Sequence, residues 1–284
     1  MEPIVRGEPV EVADGVFVIP DGRVRLVPNI GIVVGTRAAL VVDTGLGPRN
    51  GALVLARARR LAGDRPLYLT TTHFHPEHGF GAQAFQGHAT FVASSAQRDE
   101  AHRKSAAFAG MFRGLGPAVA AELADFRPVA PDLVYTGDRA EIDLGGRTAV
   151  LRHVGPAHTA GDQVVLADGV LFTGDLVENR MFPIAPYFPP HDTDVDVVRW
   201  IAVLDELLRL DPAVVVPGHG EVADVALVRA VRDYFDHVRG EVSALRAAGA
   251  GVDEAVSAVT ESARSRWGWD NLDWIGLTVR ALHR

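Results

Sequence analysis

The sequence predicts an α/β fold. Strand-like runs rich in Val, Ile and Leu alternate loosely with helical segments in two successive halves, and short loops carrying His or Asp follow several of the strands. No short-period repeat or low-complexity segment interrupts this order. With 284 residues, of which 48% are hydrophobic and 23% charged, the chain is long enough for a large core. It reads as one domain over 1–284, with a helical insertion at 95–125 and C-terminal helices over 223–284.

The elements follow in order. Val10 and Val12, then Val16 and Val18, alternate on either side of Asp14-Gly15, a hairpin signature that ends at Pro20. Residues 30–34 and 39–42 form a second strand pair, ending at Asp43-Thr44-Gly45. Pro48 to Ala62 has helical spacing and stops at Gly63. Residues 67–71 read as a buried strand, Gly79 to Phe85 as a short helix and 89–93 as another strand. Ser95 to Gly110 and Pro117 to Leu123 look helical, and this segment reads equally as an inserted cap or as an ordinary connecting helix pair. Strands return at 133–136, 140–144, 148–154, 163–166 and 170–172. Residues 176–194 carry Pro183, Pro186, Pro189 and Pro190, too many for a helix or a central strand. An amphipathic helix covers 195–210 and a strand 213–216. The chain is then helical from Ala223, with breaks near Gly249-Ala250-Gly251 and at Gly268.

Composition excludes several function classes. The formal net charge of −8 argues against nucleic acid as a partner, because phosphate binding needs basic patches. There is no Cys, so any metal is held by nitrogen and oxygen donors. No apolar run reaches membrane-spanning length, and the N-terminus lacks the pattern of a secretory signal, so the expected location is the cytoplasm. Lys104 is the only lysine. The expected partner is a small-molecule substrate, and the oligomeric state is left open.

The most informative stretch is Thr72-His73-Phe74-His75-Pro76-Glu77-His78-Gly79, which places three imidazoles and a carboxylate in one turn. These are donors that Zn²⁺, Fe²⁺ and Mn²⁺ accept. On extended backbone His73 and His75 point the same way. His78 follows a Pro, where a helix can begin, so it can approach from another side. Four further segments place a ligand type beside small residues after a strand: Asp43 in Val41-Val42-Asp43-Thr44-Gly45, His158 in Gly155-Pro156-Ala157-His158, Asp175 in Thr173-Gly174-Asp175, and His219 in Pro217-Gly218-His219-Gly220. Taken alone, Asp43 could cap the following turn, Asp175 could be a turn residue, and the two histidines could be ordinary loop residues.

Together, this ordered set resembles the metallo-β-lactamase fold superfamily of metallohydrolases from about residue 10 to 222. The resemblance implies a four-layer αββα sandwich with the site at one edge of its two sheets. It implies one metal on His73, His75 and His158, a second on Glu77, His78 and His219, and Asp175 bridging them. Asp43 would hydrogen-bond a ligand imidazole or the loop. The family usually has Asp where this chain has Glu77. Glu77 could ligate, act as general base toward water, or leave the second site weak; ligation is the reading taken here. A bridging carboxylate resembles the thioesterase and lactonase branches, glyoxalase II among them, and a broad group of hydrolases near quinoprotein-associated members. Lactonases of this fold often have Tyr three residues after the bridging Asp, where this chain has Glu178.

The resemblance thus implies hydrolysis of an ester-like bond (thioester, lactone, ester or amide) by a hydroxide shared between two divalent ions, zinc first, with iron or manganese as alternatives. Glu77, Asp175 and Asp43 are the expected catalytic residues. The rivals are a mononuclear-iron oxidoreductase similar to persulfide dioxygenases, a nucleic-acid-processing enzyme, and a catalytically degenerate metal-binding protein. Phe74, Phe80, Met111, Phe112, Met181, Phe182, Tyr187 and Phe188 are expected to wall an apolar pocket, with Trp267 and Trp269 assigned to the core. Among the unassigned histidines His191 is singled out, because it lies in the loop after Asp175.

Overall fold

The computed structural model describes residues 2–284. The first half is a seven-stranded sheet with strands in chain order: β1 (Val10–Ala13), β2 (Val16–Ile19), β3 (Ile30–Val34), β4 (Ala39–Val42), β5 (Leu67–Thr70), β6 (Thr90–Ser94) and β7 (Leu133–Tyr135). Four helices interleave: α1 (Gly47–Ala62), α2 (Pro76–Gly79), α3 (Ser95–Arg113) and α4 (Pro117–Glu122). A 3₁₀ turn over Phe80–Phe85 follows α2. The second half contains β8 (Arg139–Asp143), β9 (Thr148–His153), β10 (Gln163–Ala167), β11 (Val170–Glu178), α5 (Val197–Arg209) and β12 (Val214–His219). Helices α6 (Val225–Ala247), α7 (Val252–Trp267) and α8 (Asp273–His283) complete it. Its sheet has the order β12-β11-β10-β9-β8.

Side-chain alternation along the strands makes the four layers. Leu40 and Val42 of β4 point toward the other sheet and pack with Leu151, Val165, Phe172 and Val216. Their neighbours Ala39 and Val41 point the other way, onto Val54 and Ala58 of α1 and Phe85 of the 3₁₀ turn. In the second sheet Val164, Leu171 and Val215 face outward onto Trp200 and Leu204 of α5 and Val231 and Phe235 of α6. The central strands, such as β4 and β11, are therefore buried on both faces, which is why they read as continuous apolar runs. Each such Leu, Val or Phe contributes roughly 1.5–3 kcal/mol by leaving water.

Two strands run further than the sequence predicts. β11 is expected to end near Phe172 but continues to Glu178, with an irregularity at Gly174, where φ is +53°. The bulge absorbs the break without ending the pairing with β12. Asp175 therefore stands within a buried strand and not in the loop after it. β12 likewise continues through Pro217 to His219, which a proline tolerates because β12 is an edge strand. β4 runs parallel to β5, and β11 parallel to β12. The C-terminal ends of β4, β5 and β12 deliver Asp43, the His73–His78 turn and His219, and the second half of β11 delivers Asp175.

α1 packs closely on the 3₁₀ turn that follows the histidines. A Cβ on Gly51 would lie 2.0 Å from the Gly81 carbonyl oxygen. Gly51→Ala is therefore expected to destabilise the fold by about 1–3 kcal/mol, measured as a lower denaturant midpoint. An unchanged midpoint would show that this contact can yield freely.

Candidate metal centre

β5 ends in Thr70, and the chain then turns through Thr72 and His73. Pro76 opens α2 in its first turn, where its missing N–H costs nothing, and the helix swings His78 back over the strand ends. The seven expected donors converge in two groups that share one carboxylate. His73, His75, His158 and Asp175 form the first; Glu77, His78, Asp175 and His219 form the second. Within each, the potential donor atoms lie within 4.8 Å of one another.

Asp175 divides its two oxygens between the groups. Oδ1 lies 3.1 Å from His78 Nε2 and 3.7 Å from His219 Nε2, whereas Oδ2 lies 3.8 Å from both His73 Nε2 and His158 Nε2. His75 Nδ1 sits 3.1 Å from His73 Nε2 and 3.0 Å from His158 Nε2. Three ring nitrogens thus meet at one point, in a pocket where all three rings are buried. His75 Nε2, His78 Nε2, Glu77 Oε2 and Asp175 Oδ1 are buried and have no hydrogen-bond partner. The clustered ring nitrogens of the first group, and the unpartnered His78 Nε2, Glu77 Oε2 and Asp175 Oδ1 of the second, are all nitrogen or carboxylate oxygen and fit two divalent cations.

Electrostatics follow from this crowding. Burial, reinforced by neighbouring imidazoles, holds His73 and His75 well below the usual histidine range, and burial brings His158 down to about 4. These rings stay neutral, the form that binds metal. Burial pushes the Glu77 carboxyl up to about 7. Burial also opposes charge on His78, but the Asp175 and Asp43 carboxylates outweigh it and hold this ring well above the usual range. Burial works against an ionised Asp175, and His78 and His219 overcome it and lower its pKa.

Asp43 holds the site from behind. Its Oδ2 lies 2.9 Å from His78 Nδ1 and accepts a 2.9 Å bond from Thr72 Oγ1, and its Oδ1 accepts the Thr72 N–H at 2.7 Å. Asp43 has φ +71°, a left-handed conformation rarely occupied outside glycine, asparagine and aspartate. Those bonds hold it there. His158 is oriented by its Nδ1, 3.0 Å from the Ile184 carbonyl oxygen.

Other supporting residues carry no recognisable sequence signal. Asn29 Nδ2 donates to the carbonyls of Pro217 and Gly220 at 3.0 and 2.7 Å, bracing the turn that presents His219. Asp21 Oδ2 accepts the Gly220 N–H at 2.9 Å. Gly218 is required by proximity, since a Cβ there would fall 2.0 Å from Asp175 Oδ1. Glu178 is fully buried with both carboxylate oxygens unpartnered, and burial followed by repulsion from Asp175 raises its pKa well above normal.

A cavity of about 790 Å³ reaches His75, Glu77, Asp175 and His219. Met111, Phe112, Met181 and Phe188 line it as expected, joined by Phe108, Leu115, Ile184 and Trp274, which the sequence does not single out. Phe74 and Phe80 line a separate cavity of about 400 Å³ behind the histidine turn. Phe182 is core, Tyr187 packs against the same core, and Trp267 and Trp269 do so too. His191 is exposed and joins neither donor group.

Residues 23–219 match the sequence model of the metallo-beta-lactamase superfamily. The chain belongs to that superfamily. It is 32% identical over 205 residues to acyl-coenzyme A thioesterase MBLAC2 of Gallus gallus, covering 67% of this chain and 72% of that protein. Among solved structures, a metallo-beta-lactamase from Pontibacter korlensis aligns with TM-score 0.63 at 21% identity, covering 81% of this chain and 99% of that one. The sec-alkylsulfatase Pisa1 from Pseudomonas sp. aligns with TM-score 0.71 at 16% identity, over 98% of this chain and 50% of that one. These structural likenesses show the superfamily's four-layer αββα fold. The superfamily member described here has the donors for two divalent ions. Among its described residues, no helix is long and apolar enough to cross a membrane.

If Asp43 orients His78, Asp43→Asn is expected to weaken one of two divalent-ion binding steps by about 10–100-fold in a chelator-competition titration. Two unchanged steps would show that His78 needs no such partner.

Proposed function

We propose that this chain is a metal-dependent hydrolase of ester-like bonds, with acyl thioesters as the favoured substrate class. The observation that carries this reading is the Asp175 carboxylate, shared between two donor groups that an apolar cavity reaches. The relative named as an acyl-coenzyme A thioesterase supports the choice of bond. The aromatic and aliphatic lining supports an acyl group, which gains affinity by leaving water.

Divalent ions at these groups, zinc with iron or manganese as alternatives, supply an acidified water and Lewis-acid polarisation of a carbonyl. His73, His75 and His158 would hold one ion, Glu77, His78 and His219 the other, and Asp175 both. Asp43 fixes the His78 ring, and the Ile184 carbonyl fixes His158. Glu77 ligates in this reading. Phe108, Met111 and Phe112 of α3 exclude water above the reacting bond, so the 95–125 insertion acts as a cap. We further propose that 1–284 works as a single domain on a small-molecule substrate in the cytoplasm, without nucleic-acid or membrane partners.

The complete second donor group favours this reading over a one-iron dioxygenase, which would leave Glu77, His78 and His219 without work. The test is hydrolysis of acyl-coenzyme A thioesters of graded chain length, followed by free thiol release. Chelation is expected to abolish turnover and added Zn²⁺, Mn²⁺ or Fe²⁺ to restore it. Asp175→Asn is expected to lower kcat/KM at least ~100-fold, since both ions lose a ligand. A chelated protein that keeps its full rate would refute the proposal.

A further inference from the structure

The only lysine of the chain lies away from both donor groups, at the meeting point of three loops. Lys104, on α3, is 9% exposed. Its Nζ lies 2.7 Å from Glu100 Oε1, 2.8 Å from Asp192 Oδ1 and 2.9 Å from Asp194 Oδ2. Its charge also sits 5.2 Å from the centre of the Phe74 ring, between His73 and His75 in sequence. Each partner reaches further. Fully buried Glu100 accepts the Gly161 N–H at 2.7 Å and the Ala160 N–H at 3.2 Å, in the turn just after His158. Asp192 pairs through its backbone with Phe188, a wall of the main cavity: each N–H donates to the other carbonyl, at 2.8 and 3.0 Å. The same proline-rich loop supplies the Ile184 carbonyl that orients His158.

We infer that Lys104 and Glu100 form a buried strut that positions the first donor group (His73, His75 and His158) and ties it to the cavity wall at Phe188. A buried carboxylate accepting two backbone N–H groups is strongly placed, but it carries a charge that burial penalises unless a cation sits beside it. Lys104 is that cation for Glu100, and for Asp192 as well. Without it the two carboxylates repel, the turn after His158 loses its tie to α3, and His158 drifts relative to His75. None of these bonds reaches Glu77, His78 or His219, so the second group should not respond. Lys104 is a positioning residue: it touches neither the donor atoms nor the cavity.

The strut presupposes ions at the two groups, so the unmodified protein is the control. The probe is Zn²⁺ alone, titrated calorimetrically into metal-free protein in two backgrounds. His219→Ala disables the second group and isolates the first; His158→Ala does the reverse. Adding Lys104→Met is expected to weaken Zn²⁺ binding about tenfold or more in the His219→Ala background and to leave it unchanged in the His158→Ala background. Lys104→Arg, which keeps the charge, is expected to recover most of the loss. Should Lys104→Met fail to fold, Glu100→Gln replaces it with the same expectation. Equal losses in both backgrounds, or none in either, would overturn the strut. Failure of the unmodified protein to bind Zn²⁺ would overturn both the strut and the proposed metallohydrolase, whereas binding that is indifferent to Lys104 overturns the strut alone.

Discussion

Six side chains that water solvates well are packed here around a seventh, the Asp175 carboxylate, and that crowding is the constraint the rest of the structure serves. Asp175 is buried among five imidazoles, with Glu77 beside it. Removing such groups from water costs several kcal/mol for each ion unless opposite charge and hydrogen bonds compensate. Within the protein the compensation is incomplete. Ring nitrogens face one another, and donor atoms at the centre have no partner. Two dications would supply the missing charge, so metal binding and the integrity of this region are one free-energy problem.

The fold answers that constraint by placing strand ends where the donors are needed. Asp43, His73, Asp175 and His219 come from the C-terminal halves of two parallel pairs and the turns that follow them, one pair in each sheet. The sheets pack rigidly through Leu40, Val42, Val165 and Phe172, so donors far apart in sequence are held in register by the core. Polar bracing then sets orientation: Asp43 behind His78, the Ile184 carbonyl behind His158, and Asn29 beneath the His219 turn. Helix α3 contributes on both sides, with Phe108 and Phe112 facing the cavity and Lys104 facing the loops below.

How much of this was legible in the sequence follows from the range of each interaction. The hairpins at 10–19 and 30–42 are readable because period-two alternation and turn residues are local signals. The His73–His78 turn is readable because its donors are contiguous. Asp43, His158, Asp175 and His219 are individually weak signals that gain meaning only as an ordered set. The continuation of β11 to Glu178 is not readable, since Gly174 looks like a stop until its pairing with β12 is known. Asn29 and Glu100 are ordinary polar residues whose partners lie 188 and 61 positions away. The cavity walls were half legible for the same reason. Met111 and Phe188 face the site, yet Phe74 and Phe80 turn to the opposite side of the histidine loop, a choice made by packing and not by local pattern.

The central claim is that these donors hold a pair of cations on either side of Asp175. Anomalous diffraction from crystals grown with Zn²⁺, collected above and below the zinc edge, locates such ions directly. The account predicts two peaks, one beside His73, His75 and His158, the other beside Glu77, His78 and His219, both in contact with the Asp175 carboxylate. A map with no peak there, or with a single ion that leaves Glu77, His78 and His219 unengaged, would contradict it.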